Sequence, residues 1–455
     1  MSRQCHEAPF TRQDFGPDFS WGAATAAYQL EGAHNLDGRG PSIWDTFTHR
    51  PNRFGQPRPT GDVACDFYHY YEADLRLLKQ MGFTAFRFSL SWSRIMPQGT
   101  GAVNEPGLAF YDRLIDTCLK LGIEPWVTLY HWDLPQALED KGGWANRAVI
   151  RWFSEFVDCC TKAFGHKVKR WMVLNEPTAF TVAGYFAGIH APGRRSIQAF
   201  WGAVHHAVVC QGEGGRIIRQ NVPNAKIGTT FFCAPVDALT DSARDQRAAS
   251  RVNALGNRLF IEPALGLGYP VRDAPLLEHL IKRYVQLGDM QRATFDFDFI
   301  GLQNYFRMVV RHSWYTPYVW AREIKPKSRG VTEITQMNWE VYPEGIYRIL
   351  KQFSQYPNIP ELIITENGAA FEDVYQNGVV NDPQRAHFYE RYLRASLRAK
   401  QEGVNVGGYF AWSLLDNFEW AEGYRPRFGL VYVDYPTQQR IIKQSGHWFR
   451  HFLTC

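Results

Sequence analysis

Two glutamates stand out for where they sit. Glu176 closes the run Trp171–Met172–Val173–Leu174–Asn175–Glu176, and Glu366 follows Leu362–Ile363–Ile364–Thr365. Each is a carboxylate at the end of an apolar, strand-like stretch, next to an Asn able to donate hydrogen bonds. Pro177 is expected to stop its strand, and Gly368 to let the backbone turn sharply. One such Glu is as well explained as a cap on a nearby helix. Two carboxyl groups at one site could divide the work of an acid from that of a base or nucleophile.

That requires elements able to bring both to one place. One pattern recurs along the chain: an amphipathic helical stretch, a Gly, then a short apolar run ending in polar residues. Leu77–Met81 and Gly82 precede the run from Phe83 to Leu90, and Gly122 precedes Ile123–Tyr130. Gly165 leads into Val168–Leu174, and Gly403 into Val404–Trp412. In the first helical stretch Phe67, Tyr70, Tyr71, Leu75, Leu78 and Met81 share one face, with Gly82 as C-cap. The apolar runs are short and apolar on both faces, as buried parallel strands are. Phe19–Trp21, Lys226–Phe232, Phe297–Tyr305 and Leu362–Thr365 complete eight candidate strands.

Alternating elements of this count predict an α/β fold, a (β/α)8 barrel. No Pro/Ser-rich linker divides the chain. Residues 15–455 therefore read as a single domain, and residues 1–14 as a flexible N-terminal segment. A doubly wound open sheet is the rival, but no Gly-rich phosphate turn accompanies it. His131, Asn175, Glu176, Tyr305, Glu366, Trp412 and Ser413 all fall at carboxyl ends of the runs, where a barrel carries its active site.

The motifs, taken in order, resemble those of glycoside hydrolase family 1, the β-glucosidase and β-galactosidase family. They begin at Phe19–Ser20–Trp21–Gly22 and run through Tyr28–Gln29–Leu30–Glu31–Gly32. They continue at Phe86–Arg87–Phe88–Ser89, Tyr130–His131–Trp132–Asp133–Leu134–Pro135 and Asn175–Glu176–Pro177. They close with Thr365–Glu366–Asn367–Gly368 and Trp412–Ser413–Leu414–Leu415–Asp416–Asn417–Phe418–Glu419–Trp420.

This resemblance implies a retaining β-glucosidase with Glu366 as nucleophile and Glu176 as general acid/base. Retention places two such groups about 5–5.5 Å apart and passes through a covalent glycosyl-enzyme. It also implies that Arg87 keeps Glu366 ionised and that Tyr305 orients it. Gln29, His131, Asn175, Glu419 and Trp420 would grip sugar hydroxyls, with Trp412 beneath the ring and Trp132, Trp339 and Phe428 also in the substrate site. The family's 6-phosphoglycosidases lack the carboxylate at Glu419 and carry a Lys and a Tyr where this chain has Pro426 and Phe428, so an unphosphorylated sugar is expected. Two positions depart from the family pattern. Gln303 replaces an Asn, so its hydrogen bond is either kept by another path or lost. Thr178 replaces an aromatic residue, which predicts a wider aglycone mouth. Galactose or fucose preference, transglycosylation, and a non-catalytic sugar-binding role are the alternatives. Retention of both glutamates argues against the last.

Composition narrows the rest. Much of the high aromatic content, 15 Trp, 22 Tyr and 31 Phe, must be core, but flat rings also suit sugar faces. A net charge of +5 without a basic block predicts no nucleic-acid partner and no anionic membrane surface. The densest basic stretch, Lys325 to Arg329, reads as a solvated loop. No apolar run is long enough for a membrane span, and Met1 to Asp14 lack the apolar core of a secretory signal. Eight scattered cysteines read as reduced thiols of a cytoplasmic protein. There is no HExxH or Cys/His ligand spacing, P-loop or GxSxG elbow, so neither metal nor cofactor is expected. His205 and His206 read as neighbours that diverge on a helix. A small-molecule β-glycoside is the expected partner, and either a monomer or a homo-oligomer is compatible with the sequence.

Overall fold

The computed structural model describes residues 10–455. Eight parallel strands close into a barrel: β1 (Ser20–Ala24), β2 (Ala85–Ser89), β3 (Glu124–Tyr130), β4 (Arg170–Asn175), β5 (Lys226–Phe232), β6 (Phe299–Gln303), β7 (Leu362–Asn367) and β8 (Val406–Trp412). Each candidate strand contributes one. The first lies slightly downstream of Phe19–Trp21, because Ser20–Ala24 pairs with Gly408–Trp412 and its last three residues pair with Ala85–Arg87. Nearly every residue of these strands is buried, as expected for a sheet covered on both faces.

Helices connect the strands: α1 (Phe67–Gln80), α2 (Glu105–Lys120), α3 (Val149–Phe164), α4 (Ile197–Asn221), α5 (Ala243–Asn253), α6 (Glu344–Phe353) and α7 (Pro383–Gln401), with α8 (Gln444–Thr454) after β8. In α3, Val149, Trp152, Phe153, Phe156, Val157, Cys160 and Phe164 recur at helical spacing and are buried. In α1, Phe67, Leu75 and Leu78 are buried as the periodicity predicts, but Tyr70 is exposed and Tyr68 takes its place. Gly82, Gly122 and Gly403 end their helices with positive φ (87°, 66° and 91°). Gly165 does not: its φ is −61°, and a Cβ there would come within 2.4 Å of the Thr161 carbonyl oxygen. Close approach, rather than handedness, explains that glycine.

Between β5 and β7 a three-stranded sheet (Val236–Ala238, Met308–His312, Ala321–Glu323) packs on α5 through Ala248, Ala249, Val310 and Ala321. The basic stretch is a 3-10 turn, Pro326–Arg329, and not a fully solvated loop: Arg329 donates to Glu340 at 2.5 Å, and Pro326 is buried. In the N-terminal segment, residues 1–9 lie outside the described residues, whereas Phe10 packs on Phe452 and Arg12–Phe15 form a 3-10 turn.

Candidate active site

The barrel strands deliver their last residues to one cleft of ≈ 590 Å³, lined among others by His131, Trp132, Glu176, Tyr305, Trp339, Glu366, Trp412, Glu419, Trp420 and Phe428. Both glutamate-bearing strands are irregular where they reach it. The β4–β5 register shifts between Met172 and Asn175, and the β6–β7 register shifts between Ile364 and Glu366. Such bulges bend a strand and re-aim its side chains. Glu176 follows at φ 42°, in the left-handed region, and Pro177 opens the short helix Pro177–Phe180. Trp132 and Trp420 also have positive φ (78° and 48°). Non-glycine residues held this way store strain, and they gather at functional sites. Gly368 is not a left-handed turn residue. A Cβ on it would lie 2.0 Å from the Trp412 carbonyl oxygen, so the glycine admits β8 close to β7.

The two carboxyl groups have opposite surroundings. Glu366 Oε1 accepts from the Arg87 guanidinium and from Gln303 Nε2 at 2.8 Å, and Oε2 accepts from the Tyr305 hydroxyl at 2.6 Å. Glu176 Oε1 is buried without a hydrogen-bond partner among the described residues. Burial pushes both carboxyls up. For Glu366 the Arg87 charge and the Tyr305 hydroxyl oppose it. Glu176 is pushed well above the usual range, burial first and the Glu366 charge next, with Arg87 alone opposing. The arrangement thus favours an ionised Glu366 beside a protonated Glu176.

Asn175 knits the floor together. Its Oδ1 accepts from Arg87, from Gln303 Nε2 at 2.8 Å and from the Thr230 hydroxyl at 3.0 Å. Its Nδ2 therefore faces His131 Nε2 at 2.9 Å, which makes that ring nitrogen the acceptor and Nδ1 the protonated one. Burial, helped by Arg87, holds His131 well below its ordinary pKa, so it is neutral, and Nδ1 has no acceptor among the described residues. Gln29 is wholly buried. Its Nε2 donates to the Phe418 carbonyl at 2.8 Å and to Glu419 Oε2 at 3.2 Å, leaving Oε1 unpaired. Burial and the Glu366 charge push Glu419 up to about 8, against the Gln29 amide. Unpaired atoms on Gln29, His131 and Glu176 are what a polyhydroxylated ligand would satisfy.

Aromatic rings wall the cleft. Trp132 lies 4.6 Å from Trp420 and donates through Nε1 to the Asn175 carbonyl at 3.0 Å. His131 stands 6.1 Å from Trp412, and Trp339 packs 5.5 Å from Tyr305 and 6.2 Å from Phe428. The Gln303 hydrogen bond is kept, and the longer amide reaches Glu366, Asn175 and the Thr230 hydroxyl together. Thr178 lines the cleft, half-buried, its hydroxyl 3.4 Å from the Gly256 carbonyl.

Sequence reasoning missed His190, Thr230, Met337 and Phe306. His190, in an irregular loop, lines the cleft 5.8 Å from Trp132, and burial lowers its pKa to about 4. No periodicity marks that loop. Thr230 carried a signal, since it lies near the end of a candidate strand. The two adjacent histidines do diverge: His205 binds Asp289 at 2.9 Å, and His206 the Trp144 carbonyl at 2.8 Å, both away from the cleft. Among the described residues, no helix is long and apolar enough to cross a membrane.

A closed parallel barrel with two carboxyls in contrasting surroundings, in one cleft walled by aromatic rings, fits a glycoside hydrolase of the (β/α)8 class. The chain belongs to glycosyl hydrolase family 1, whose model matches residues 11–455. It is 44% identical to β-glucosidase A of Thermotoga maritima over 96% of both chains. It is 43% identical to a 1,4-β-D-glucan glucohydrolase of Thermotoga neapolitana, over 96% of this chain and 98% of that one. The solved structure of the Thermotoga maritima β-glucosidase with deoxynojirimycin superposes with a TM-score of 0.90, at 42% identity, over 96% of this chain and 98% of that one.

Proposed function

We propose that the protein is a retaining β-glucosidase that removes terminal non-reducing β-D-glucosyl residues from cello-oligosaccharides and from aryl or alkyl β-glucosides. The observation that carries this reading is the contrast between Glu366, held by three donors, and the unpartnered Glu176. Glu366 attacks the anomeric carbon while Glu176 gives its proton to the leaving oxygen. Glu176, now a carboxylate, takes a proton from water as that water displaces Glu366 from the sugar, and both groups return to their starting states. Arg87, Tyr305 and Gln303 hold Glu366 ionised and oriented, and Asn175 ties them to the His131 side of the cleft.

His131 Nδ1, Gln29, Glu419 and Trp420 bind the glycone hydroxyls, Trp412 lies under the ring, and Trp132, Trp339 and Phe428 complete the walls. A carboxyl at Glu419, with Pro426 and Phe428 at the positions where the family's 6-phosphoglycosidases carry a Lys and a Tyr, supports an unphosphorylated sugar, because no basic side chain stands at either position to hold a phosphate. The seven described cysteines are all unpaired, in keeping with a reducing, cytoplasmic setting.

The test is a leaving-group series of aryl β-D-glucosides on wild type, Glu366→Ala and Glu176→Ala. Glu366→Ala should be nearly inactive on every member. Glu176→Ala should lose far less on activated leaving groups, which need no proton. Equal losses across the series in both variants would refute the division of roles.

A further inference from the structure

Beside the active-site cleft lies a second cavity of ≈ 190 Å³, set between the start of α4, the short helix Leu276–Ile281 and the loop Pro317–Trp320. Its lining is almost wholly apolar. Among the described lining residues the one charged side chain, Arg251, is already committed: its Nε donates to the Val319 carbonyl at 2.8 Å. A cationic ligand would find no counter-charge, and the Arg251 guanidinium is turned to the loop carbonyls of Val319 and Trp320.

Trp201 breaks the apolar pattern. It lines the cavity, is 6% exposed, and its indole Nε1–H is buried without an acceptor among the described residues. An unmet donor beside an apolar space is costly, and a ligand acceptor would relieve the cost. For scale, an engineered apolar cavity of about 150 Å³ holds benzene. The cavity also adjoins the cleft: Val182 lines both, and Thr178 in the cleft lining bonds to the carbonyl of Gly256, whose neighbour Leu255 lines the cavity.

We propose that this cavity binds a compact, neutral, apolar molecule carrying one hydrogen-bond acceptor, received by the Trp201 indole N–H. Such a molecule arrives either as the distal part of an apolar aglycone whose sugar sits in the cleft, or free in solution. Only the first source rests on the β-glucosidase reading.

The experiment is calorimetric titration of acetophenone into wild type, Trp201→Phe and Leu276→Asp, with toluene as the acceptor-free control. Leu276 is 40% exposed, so an aspartate there leaves the fold intact while putting a charge at the cavity rim. The expected result is saturable acetophenone binding, weakened at least fivefold by Trp201→Phe and at least tenfold by Leu276→Asp, with toluene affinity unchanged by Trp201→Phe. No saturable binding, or an acetophenone affinity unchanged in either variant, overturns the site.

The ratio of kcat/KM for 4-acetylphenyl and phenyl β-D-glucosides then separates the sources. A ratio that falls in Trp201→Phe identifies the tethered aglycone, and an unchanged ratio beside weakened acetophenone binding identifies the free molecule. If wild type cleaves neither glucoside, the β-glucosidase reading fails, and the calorimetry still decides the cavity.

Discussion

Glu366 and Glu176 face the same cleft, yet Glu366 accepts hydrogen bonds from Arg87, Gln303 and Tyr305, while Oε1 of Glu176 is buried and unpaired. Burial raises both pKa values; the difference comes from the donors around Glu366 and from its charge acting on Glu176.

The pH dependence of kcat/KM should be bell-shaped. In the proposed mechanism activity needs Glu366 ionised, so it rises with pH through the Glu366 titration. It also needs Glu176 protonated, so it falls as pH passes the raised Glu176 pKa. In Glu176→Ala, assayed on an activated aryl glucoside, the alkaline limb should flatten while the acid limb stays. A wild-type-shaped alkaline limb in that variant would assign it to another group.

Gln303→Leu removes a 2.8 Å donor to Glu366 and another to Asn175 while keeping most of the side-chain volume. A hydrogen bond to a charged group contributes about 1.5–3 kcal/mol, so kcat should fall roughly 10- to 100-fold. The acid limb should move to higher pH, because a carboxylate with fewer donors is harder to ionise. Steady-state kinetics across pH reads both effects.

Binding of glucose near neutral pH should release a proton. The Glu419 carboxyl, pushed up to about 8 in the empty site, is largely protonated at pH 7. Sugar hydroxyls donating to it favour the anion and lower that pKa, so binding expels the proton. Calorimetry in two buffers of different ionisation enthalpy measures it. Glu419→Gln should bind glucose with no such buffer dependence.

Thr178→Trp should narrow the cleft. We expect kcat/KM to fall more for a bulky aryl or terpenoid glucoside than for cellobiose. An unchanged ratio between the two substrates would show that Thr178 does not set the width.

Lys443 is wholly buried, with its ammonium 2.6 Å from both Asp373 and Asp416. Asp416 also accepts from Arg427 at 2.7 Å and from the Gly429 backbone at 3.0 Å, and so fastens the loop that carries Glu419 and Trp420. Lys443→Met leaves two buried carboxylates short of a cation, a loss of about 3–5 kcal/mol for a broken buried pair. A lower Tm and a higher KM, with kcat less affected, are expected in thermal melts and kinetics.

The amino-acid sequence by itself determined the eight strands, because each is a short apolar run bounded by local stop signals. It also placed Glu176, Glu366, His131, Tyr305 and Trp412 at strand ends, since a strand end is readable wherever an apolar run turns polar. The tertiary structure alone decided how those ends meet. The bulges before Asn175 and Glu366 arise from pairing with β5 and β6, which are remote in the chain. Sequence left open whether Gln303 keeps its hydrogen bond, because the answer depends on the distance between side chains 63 and 128 residues apart. His190 reaches the cleft on an irregular loop with no periodic signal. Gly165 and Gly368 look like turn formers in sequence, yet close backbone approach explains both. Local pattern sets what each segment is; long-range packing sets which side chains touch and, through their charges and hydrogen bonds, which carboxyl favours the anion.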